Sequence, residues 1–371
     1  MEITFSEERD ELRRNVRRFM EDKSPTSEVR RLMETAEGYD HDVWRQMANQ
    51  LGLQGLVVPE KFGGSGFGFE ELAIVFEEMG RAVMCAPFFS TVALATSALL
   101  AVNDESALER YLPGIASGET IATLAHSEGA KGWELEGGAT RASAQGDQWM
   151  LRGTKSFVLD GATASLILVV AESDAGLSLF AVEQGAPGLT VTPLSTLDMT
   201  RKQAQLDFVE TPARLIGTEG GALEPLTRAF ELAATALAAE AVGGAEKVLE
   251  LSVEYAKNRI QYGRPIGSYQ AIKHKCADML VAVETAKSAS YYARWAAAAD
   301  SDELPVASSL AKAYCTESYL RCAAQNIQIH GGIGFTWEHD AHLYFKRAKS
   351  SELLLGPPSY HRELLARHVG M

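Results

Sequence analysis

The amino-acid sequence predicts an α+β protein made of three consecutive domains: a helical N-terminal domain (residues 1–120), a central β-domain (121–217) and a C-terminal helical bundle (218–371). Two observations lead to this prediction. Apolar residues recur at helical spacing in the first and last parts, whereas short β-prone runs separated by turn residues fill the middle. With 371 residues, 46% of them hydrophobic and 23% charged, the chain is long enough to build several buried cores.

In the N-terminal part, apolar residues recur at helical spacing at Phe5, Leu12, Val16 and Phe19, and a further helix is predicted over 42–53. A glycine-rich loop at 63–68 then leads into another helix. Its glycines lack the G-x-G-x-x-G spacing, and no alternation of strands and helices follows. We therefore interpret this loop as a connection between helices and not as a dinucleotide-binding motif.

Seven short β-prone runs lie between Ile121 and Leu215, and turn dipeptides such as Asp160-Gly161 separate them. The runs span 140–143, 148–151, 156–159, 165–171, 177–182, 189–192 and 203–208. Strands of this length and spacing predict a compact β-barrel or β-sandwich.

The C-terminal part begins with a long helix predicted from Leu223 to Tyr255, in which apolar residues form one stripe. Further helices are predicted over 269–299, 305–329 and 340–354, and a short one follows Pro357-Pro358. Helices of this length joined by short loops are typical of an antiparallel bundle.

Charge and composition exclude several classes of partner. The formal net charge of −14 argues against nucleic acid and against an anionic membrane surface. None of the four cysteines forms a C-x-x-C pair, which favours reduced thiols. The sequence shows no apolar run of membrane-spanning length and no signal-peptide core, so we expect a soluble, cytoplasmic protein without membrane insertion.

Two segments carry the strongest functional signal, Arg259–Gly267 and Gln328–Gly332. The first places an arginine where a long helix ends, with no obvious carboxylate partner in the motif, so it is suited to a phosphate. In the second, adjacent glycines offer backbone N–H groups to an anion or a planar ring. Taken singly, each segment also fits a plain helix C-cap. His339 and His342 lie one helical turn apart, but we interpret them as part of a polar face and predict no metal site.

Together the motifs resemble the acyl-CoA dehydrogenase family. The matching stretches are PEKFGGSGFGFEELAIVFEEMGRA, RIQYGRPIGSYQAIKHKCADM and AKAYCTESYLRCAAQNIQIHGGIGFTWEHD, and the resemblance covers nearly the whole chain. It implies a helical N-terminal domain, a central β-domain and a C-terminal four-helix bundle. It also implies a tetramer with FAD held between domains and across a subunit interface. Family members remove hydrogens from the α and β carbons of an acyl-CoA thioester and transfer a hydride to flavin N5. The electrons are then transferred to an electron-transfer flavoprotein.

The resemblance assigns FAD contacts residue by residue. Arg259, Tyr262, Gln328 and Gly332 are implied to contact the pyrophosphate and adenine end of an FAD in a neighbouring subunit. Tyr262 replaces the more usual phenylalanine.

At the flavin end the sequence departs further from the family pattern. Ser127 stands for the usual threonine of a Thr-Glu pair, and the aromatic residue that usually precedes it is absent. Phe157 occupies the first position of a usual Trp-x-Thr, which here lacks its hydroxyl.

The larger departure from the family pattern concerns the catalytic base. Abstraction of a proton α to a thioester needs a carboxylate within hydrogen-bond reach. The two positions at which the family places a glutamate hold Leu355 and Ala233 in this chain. Glu352, Glu231 and Glu240 are possible substitutes, so the catalytic base is not identified from the sequence. If Glu352 is the base, its neighbours Leu353 to Leu355 should desolvate it and raise its pKa.

Three hypotheses follow. The first is an FAD-dependent acyl-CoA dehydrogenase with a displaced base, acting on fatty acyl or steroid side-chain thioesters. The second is a base-less subunit of a heteromeric bacterial acyl-CoA dehydrogenase, paired with a paralogous chain. The third is a structural or binding homologue that has lost FAD. The intact Arg259 and the paired glycines argue against this third hypothesis.

Overall fold

The computed structural model describes residues 7–129, 133–146 and 148–371, and its elements follow the predicted order of helices, strands and helices. The predicted α+β class is therefore confirmed. The first six residues of the predicted N-terminal domain lie outside the described residues. The helices are α1 (Glu7–Lys23), α2 (Thr26–Met33), α3 (His41–Leu51), α4 (Phe69–Ala82), α5 (Ser97–Val102), α6 (Glu105–Ala116), α7 (Leu223–Asn258), α8 (Gln270–Ala298), α9 (Leu304–His330), α10 (Ala341–Leu353) and α11 (Pro358–His368).

The middle of the chain forms a seven-stranded sheet that closes on itself. Strand pairing runs β4–β2–β3–β7–β5 and returns from β5 to β4, while β1 joins β4 in parallel and β6 joins β7. Closure leaves few free edges, as expected for a small barrel. The strands are β1 (Ala122–Ala125), β2 (Arg141–Gln145), β3 (Gln148–Leu159), β4 (Leu166–Ser173), β5 (Gly176–Glu183), β6 (Leu189–Pro193) and β7 (Gln203–Ile216).

Two features of the sheet differ from the sequence-based prediction. The runs 148–151 and 156–159 belong to one strand, β3, whose register against β7 shifts twice. Gly153 (φ +148°) and Phe157 (φ +56°) take up these irregularities without ending the strand. Strand β1 was not predicted, because its four residues are all buried and show no alternation.

Two compact units can be distinguished, each assembled from segments far apart in sequence. One contains the chain up to Arg30, Phe69–Met84 and Ala234–Met371, and the other contains Arg31–Gly68 and Cys85–Ala233. The linear division into 1–120, 121–217 and 218–371 stays a prediction.

In the first unit, α4 and α7 cross at unusually close range. A Cβ added to Gly80 would lie 1.9 Å from the Glu240 carbonyl oxygen, and one added to Gly243 would lie 1.8 Å from that of Glu77. Only glycine allows two helix backbones to approach this closely. Further along the chain, α8, α10 and α11 all pack against α9.

Among the helices of the described residues, none combines the length and the apolar character needed to cross a membrane.

Candidate active site

The segment Arg259–Gly267 forms a tight hairpin directly after α7. Its short strands, β8 (Ile260–Gln261) and β9 (Arg264–Pro265), are joined by Tyr262 and Gly263, whose φ angles are +52° and +77°. Positive φ at both central residues is the geometry of a primed hairpin turn. The turn leaves Tyr262 93% exposed, so its ring points away from the core of its own chain.

Arg259 lies between the helix and the hairpin with its main chain fixed on both sides. Its N–H donates to the Tyr255 carbonyl and its carbonyl accepts from the Ile266 N–H, both at 2.8 Å. The residue is exposed, and no carboxylate in the part of the chain that the structure describes pairs with its guanidinium. An arginine held in this way is suited to a phosphate, which fits the FAD pyrophosphate that the resemblance assigns to it.

The glycines after α9 have different roles. Gly331 has a φ of +66°, which glycine adopts at little cost. Gly332 has no positive φ, and a Cβ added there would meet no atom within 4 Å beyond its chain neighbours. Packing within this chain therefore gives no reason for a glycine at this position. Its main chain is open to a ligand or another subunit, and Gln328 is exposed one turn earlier.

The structure brings these two segments together at one end of the first unit. The rings of Tyr255 and His330 lie 4.1 Å apart, and the Tyr255 hydroxyl donates to the His330 carbonyl at 3.4 Å. One turn earlier on each helix, Ser252 donates a buried hydrogen bond of 2.8 Å to the Asn326 side chain. These contacts hold the ends of α7 and α9 side by side.

The two predicted flavin-end residues are neighbours in the second unit. The Ser156 N–H donates to the Ser127 carbonyl at 2.8 Å, which places the Ser127 main chain beside Phe157. Phe157 sits in the irregular part of β3, and its ring is 54% exposed. Left-handed backbone is costly for an aromatic residue and is often found at functional sites.

A buried ion pair fixes this flavin-end segment to β3. Lys155, only 2% exposed, donates to Glu128 at 2.5 Å and to the His126 carbonyl at 3.2 Å. Burial alone would raise the pKa of Glu128, but the Lys155 ammonium and the Ala139 N–H lower it to about 2. The carboxylate is therefore charged at neutral pH, and the Lys155 ammonium anchors the chain on both sides of Ser127.

Leu355, at the first base position, is 5% exposed and has a φ of +61°. Its carbonyl accepts a hydrogen bond of 2.9 Å from His361 Nε2. The fully buried Lys312 donates to the carbonyls of Glu352 (2.8 Å) and Gly356 (2.5 Å). Sequence reasoning missed Lys312 and His361, although a lone lysine inside an apolar helical run is a signal for a buried, hydrogen-bonded role.

The second base position, Ala233, is fully buried in α7. Of the proposed substitutes, Glu352 forms an ion pair with Lys349 of the same helix. Leu353 beside it is 46% exposed, so the apolar surroundings expected around Glu352 are incomplete. Glu240 is buried and pairs with Arg347 at 2.7 Å.

Glu231 forms an ion pair with Arg228, whose guanidinium lies 3.7 Å away on the same helix. Burial raises the pKa of its carboxyl, although Arg228 acts in the opposite direction. A raised pKa suits a general base.

The histidines near the glycine motif are engaged with aromatic rings. His339 lies 4.4 Å from the His330 ring, and His342 stacks on Trp337 at 4.6 Å. Within the described ranges, no group of three or more histidine, cysteine, aspartate or glutamate side chains could hold a metal ion.

Family comparisons match the whole architecture. The N-terminal, middle and C-terminal domains of acyl-CoA dehydrogenase match residues 6–119, 123–209 and 223–370. The acyl-CoA dehydrogenase IpdE2 of Mycolicibacterium smegmatis is 35% identical over 365 residues, covering 98% of both chains.

Solved structures agree with these matches. The ChsE4-ChsE5 complex from Mycobacterium tuberculosis contains a chain with a TM-score of 0.91 and 27% identity, covering 100% of this chain and 99% of that one. An FAD-dependent dehydrogenase matches with a TM-score of 0.91 and 26% identity over the full length of both chains.

The fold and the matches define a flavoprotein of the oxidoreductase class. More specifically, the chain belongs to the acyl-CoA dehydrogenase family, and its cofactor is FAD. Arg259, which has no carboxylate partner among the residues that the structure describes, and the open main chain at Gly332 are compatible with the anionic part of that cofactor.

Proposed function

We propose that this chain is a subunit of an FAD-dependent acyl-CoA dehydrogenase whose catalytic base comes from a paralogous subunit. One contrast carries the proposal. Arg259, Tyr262 and Gln328 are exposed and face outward, whereas Leu355 and Ala233, at the family's base positions, have no group that takes up a proton.

The reaction removes a proton from the α carbon and a hydride from the β carbon of an acyl-CoA thioester, and a double bond forms between them. Bound FAD supplies the hydride acceptor. The chain's own contribution is binding: Arg259 directs positive charge toward the pyrophosphate, and Gly332 leaves room for close approach of the cofactor. The α proton requires a carboxylate within hydrogen-bond reach, which the partner subunit provides.

A paralogous partner is supported by the similarity to a chain of the ChsE4-ChsE5 complex. We propose a cytoplasmic tetramer that contains both kinds of subunit. Its substrate is the CoA thioester of a fatty acid or of a steroid side chain, and an electron-transfer flavoprotein accepts the electrons.

The second candidate is a dehydrogenase that needs no partner and uses a displaced base. Burial raises the pKa of the Glu231 carboxyl, which favours this residue as the displaced base.

Purification of the chain alone and together with a paralogous chain separates these candidates. Under our proposal, the chain alone is colourless or inert, and co-expression yields a yellow assembly whose flavin is bleached by acyl-CoA. Glu231→Gln and Glu352→Gln then leave flavin reduction in the assembly within about twofold of the wild type, because neither carboxylate is the base.

Other outcomes lead to different conclusions. A yellow chain that acyl-CoA bleaches without any partner supports the displaced base, and the glutamine variant that stops bleaching identifies it. A chain that takes up FAD under neither condition overturns both candidates.

A further inference from the structure

A groove on the surface of the first unit, between α8 and α9, has no role in the candidate cofactor contacts. It encloses about 160 Å³. Its floor is formed by Met279, Ala282 and Cys322, all of which are buried. Because these residues belong to the packing contact between the two helices, the floor is apolar and its position is fixed by helix packing.

Charged and polar side chains form the rim of this groove. Lys275 and Asp278 come from α8, and Arg321 and Gln325 come from α9. Lys275 donates a hydrogen bond of 2.6 Å to the Gln325 side-chain oxygen, so its ammonium is held at the rim. Burial raises the pKa of the Cys322 thiol, and the nearby Arg321 guanidinium opposes this rise. The groove therefore combines an apolar floor with two positive charges.

Neither positive charge is neutralised within the part of the chain that the structure describes. No described carboxylate forms an ion pair with Lys275 or Arg321, and Asp278 on the same rim pairs with neither of them. Lys287, further along α8, differs in this respect because it pairs with Glu246 of α7 and with Glu284 of its own helix. The groove thus offers two cationic donors to an anionic group from outside the chain.

The groove is continuous with the segment that carries the candidate FAD contacts. Gln325 lies one turn before Gln328 on α9, and Arg321 lies two turns before it, roughly 10 Å along the helix axis and on the same face. The resemblance implies that Gln328 and Gly332 contact an FAD held in a neighbouring subunit. A subunit that brings its cofactor to Gln328 therefore also lies beside the rim of the groove.

We propose that this groove receives an acidic side chain of the paralogous subunit. The inference rests on the proposed function, because only that function brings such a subunit to α9. A glutamate has the matching chemistry: its methylene groups pack on the apolar floor, and its carboxylate lies between the Lys275 ammonium and the Arg321 guanidinium. Arginine is also among the residues that contribute most to binding between proteins.

A second copy of this chain fits the groove less well than a paralogous subunit does. In a symmetric contact the same surface meets itself. Two facing grooves would bring four positive charges, from Lys275 and Arg321 of each copy, against only the two carboxylates of Asp278. Burial of charges without enough partners is destabilising. A paralogous chain with an additional acidic residue removes this imbalance, so the groove favours mixed pairing.

The test changes the charges of the groove one at a time in the chain assembled with its paralogous subunit. Arg321→Glu and Lys275→Glu should each raise the Kd for subunit association by about tenfold or more, because like charges then face each other. Asp278→Asn should leave the Kd unchanged or lower it by up to about threefold, because it removes a negative charge beside the partner's acid. Lys273→Glu, at an exposed position on another face of α8, is the matched control and should change the Kd by less than about twofold.

Analytical ultracentrifugation measures the Kd at low and high salt, and flavin absorbance measures the cofactor. The effect of Arg321→Glu should shrink at high salt because screening weakens the charge contact. The FAD content per assembled protein should stay at the wild-type value, since no residue of the groove is assigned to the cofactor. Urea unfolding of each variant verifies that the chain remains folded.

Three results would overturn the inference. If Arg321→Glu and Lys275→Glu associate like the wild type, the groove receives no acidic group, and the proposed function is unaffected. If Asp278→Asn raises the Kd, Asp278 itself is the acid that pairs across the interface, and a second copy occupies the groove. A wild type that assembles with no paralogous subunit overturns both the inference and the proposed function.

Discussion

Leu355, at a position where the family resemblance places a glutamate, shows how a single apolar residue is held in a fixed and strained main-chain geometry. A φ of +61° costs a leucine on the order of 1 kcal/mol or more, yet hydrogen bonds from Lys312 and His361 to the surrounding carbonyls hold the loop in place. At the position that the resemblance assigns to the base, the loop is therefore firmly held but its side chain cannot take up a proton. At the residue scale, Arg259 shows the opposite case, an intact functional group without a partner in the described part of its own chain.

Replacing Arg259 tests its contribution to cofactor binding. Arg259→Ala should weaken FAD binding by about 10- to 100-fold, because a charge-assisted hydrogen bond is worth about 1.5–3 kcal/mol. Arg259→Lys should lose less, since it keeps the charge but not the planar fork. The Kd for FAD is measured by calorimetry on the assembled protein. Arg367→Ala, an exposed arginine on α11, serves as the control, and equal affinities for all variants would contradict the assignment.

At the scale of secondary-structure elements, two contacts determine how the candidate site is supported. The close crossing of α4 and α7 at Gly80 and Gly243 fixes the first unit around the long helix that ends in Arg259. In the second unit, the Lys155–Glu128 ion pair joins the segment after β1 to β3. The helix crossing joins two helices that are distant in sequence. The ion pair joins the segment after β1 to a strand that follows it in the chain.

The helix crossing predicts a contrast between two glycine-to-alanine substitutions. Gly243→Ala should lower the free energy of unfolding by about 1–3 kcal/mol or more, because its Cβ would overlap the Glu77 carbonyl and the helices must separate. Gly332→Ala should change stability by less than about 0.5 kcal/mol, because its Cβ meets open space, while FAD binding weakens. Urea unfolding checks both, and similar losses for the two variants would rule out this explanation.

The Lys155–Glu128 pair predicts a dependence of stability on pH. The pKa of Glu128 is about 2 in the folded chain, below its ordinary value of 4.5, so between these values the unfolded chain binds more protons. The stabilisation is complete above about pH 4.5 and is lost as the pH falls toward 2. In urea unfolding, the difference between the wild type and Glu128→Gln should therefore shrink from pH 6 to pH 3. A constant difference would show that the pair does not contribute in this way.

At the scale of the whole molecule, the first unit exposes apolar side chains close to its candidate FAD contacts. Ile260 (53%), Tyr262 (93%), Ile333 (51%) and Phe335 (85%) all lie in or beside the two motifs. Exposed aromatic and aliphatic residues grouped with functional residues are typical of a surface that another subunit covers.

Subunit association provides the corresponding prediction. Phe335→Glu should reduce the assembled fraction and the FAD content together, because a buried carboxylate would replace an apolar contact between subunits. Light scattering coupled to gel filtration measures the mass, and flavin absorbance measures the cofactor. Val209→Glu, at an exposed position of β7, should leave both unchanged. A full-mass assembly of Phe335→Glu with normal FAD content would contradict the proposed interface.

The sequence by itself determined the features that depend on neighbouring residues. The order of helices and strands follows from local periodicity, and the turns at Gly263 and Gly331 follow from local backbone requirements. The two motifs that contain these turns also identified the family and FAD. Leucine and alanine at the base positions were equally visible, because the motif fixes the register there.

Only the tertiary structure decided the contacts made between distant segments. The role of Lys312 depends on carbonyls 40 and 44 residues away, and the isolation of the His126 nitrogens depends on packing against Phe230 from another element. The continuity of β3 through its bulges depends on pairing with β7. Local sequence sets backbone preference, whereas burial and pairing arise only when the chain is folded, so a polar residue's partners cannot be read from its neighbours.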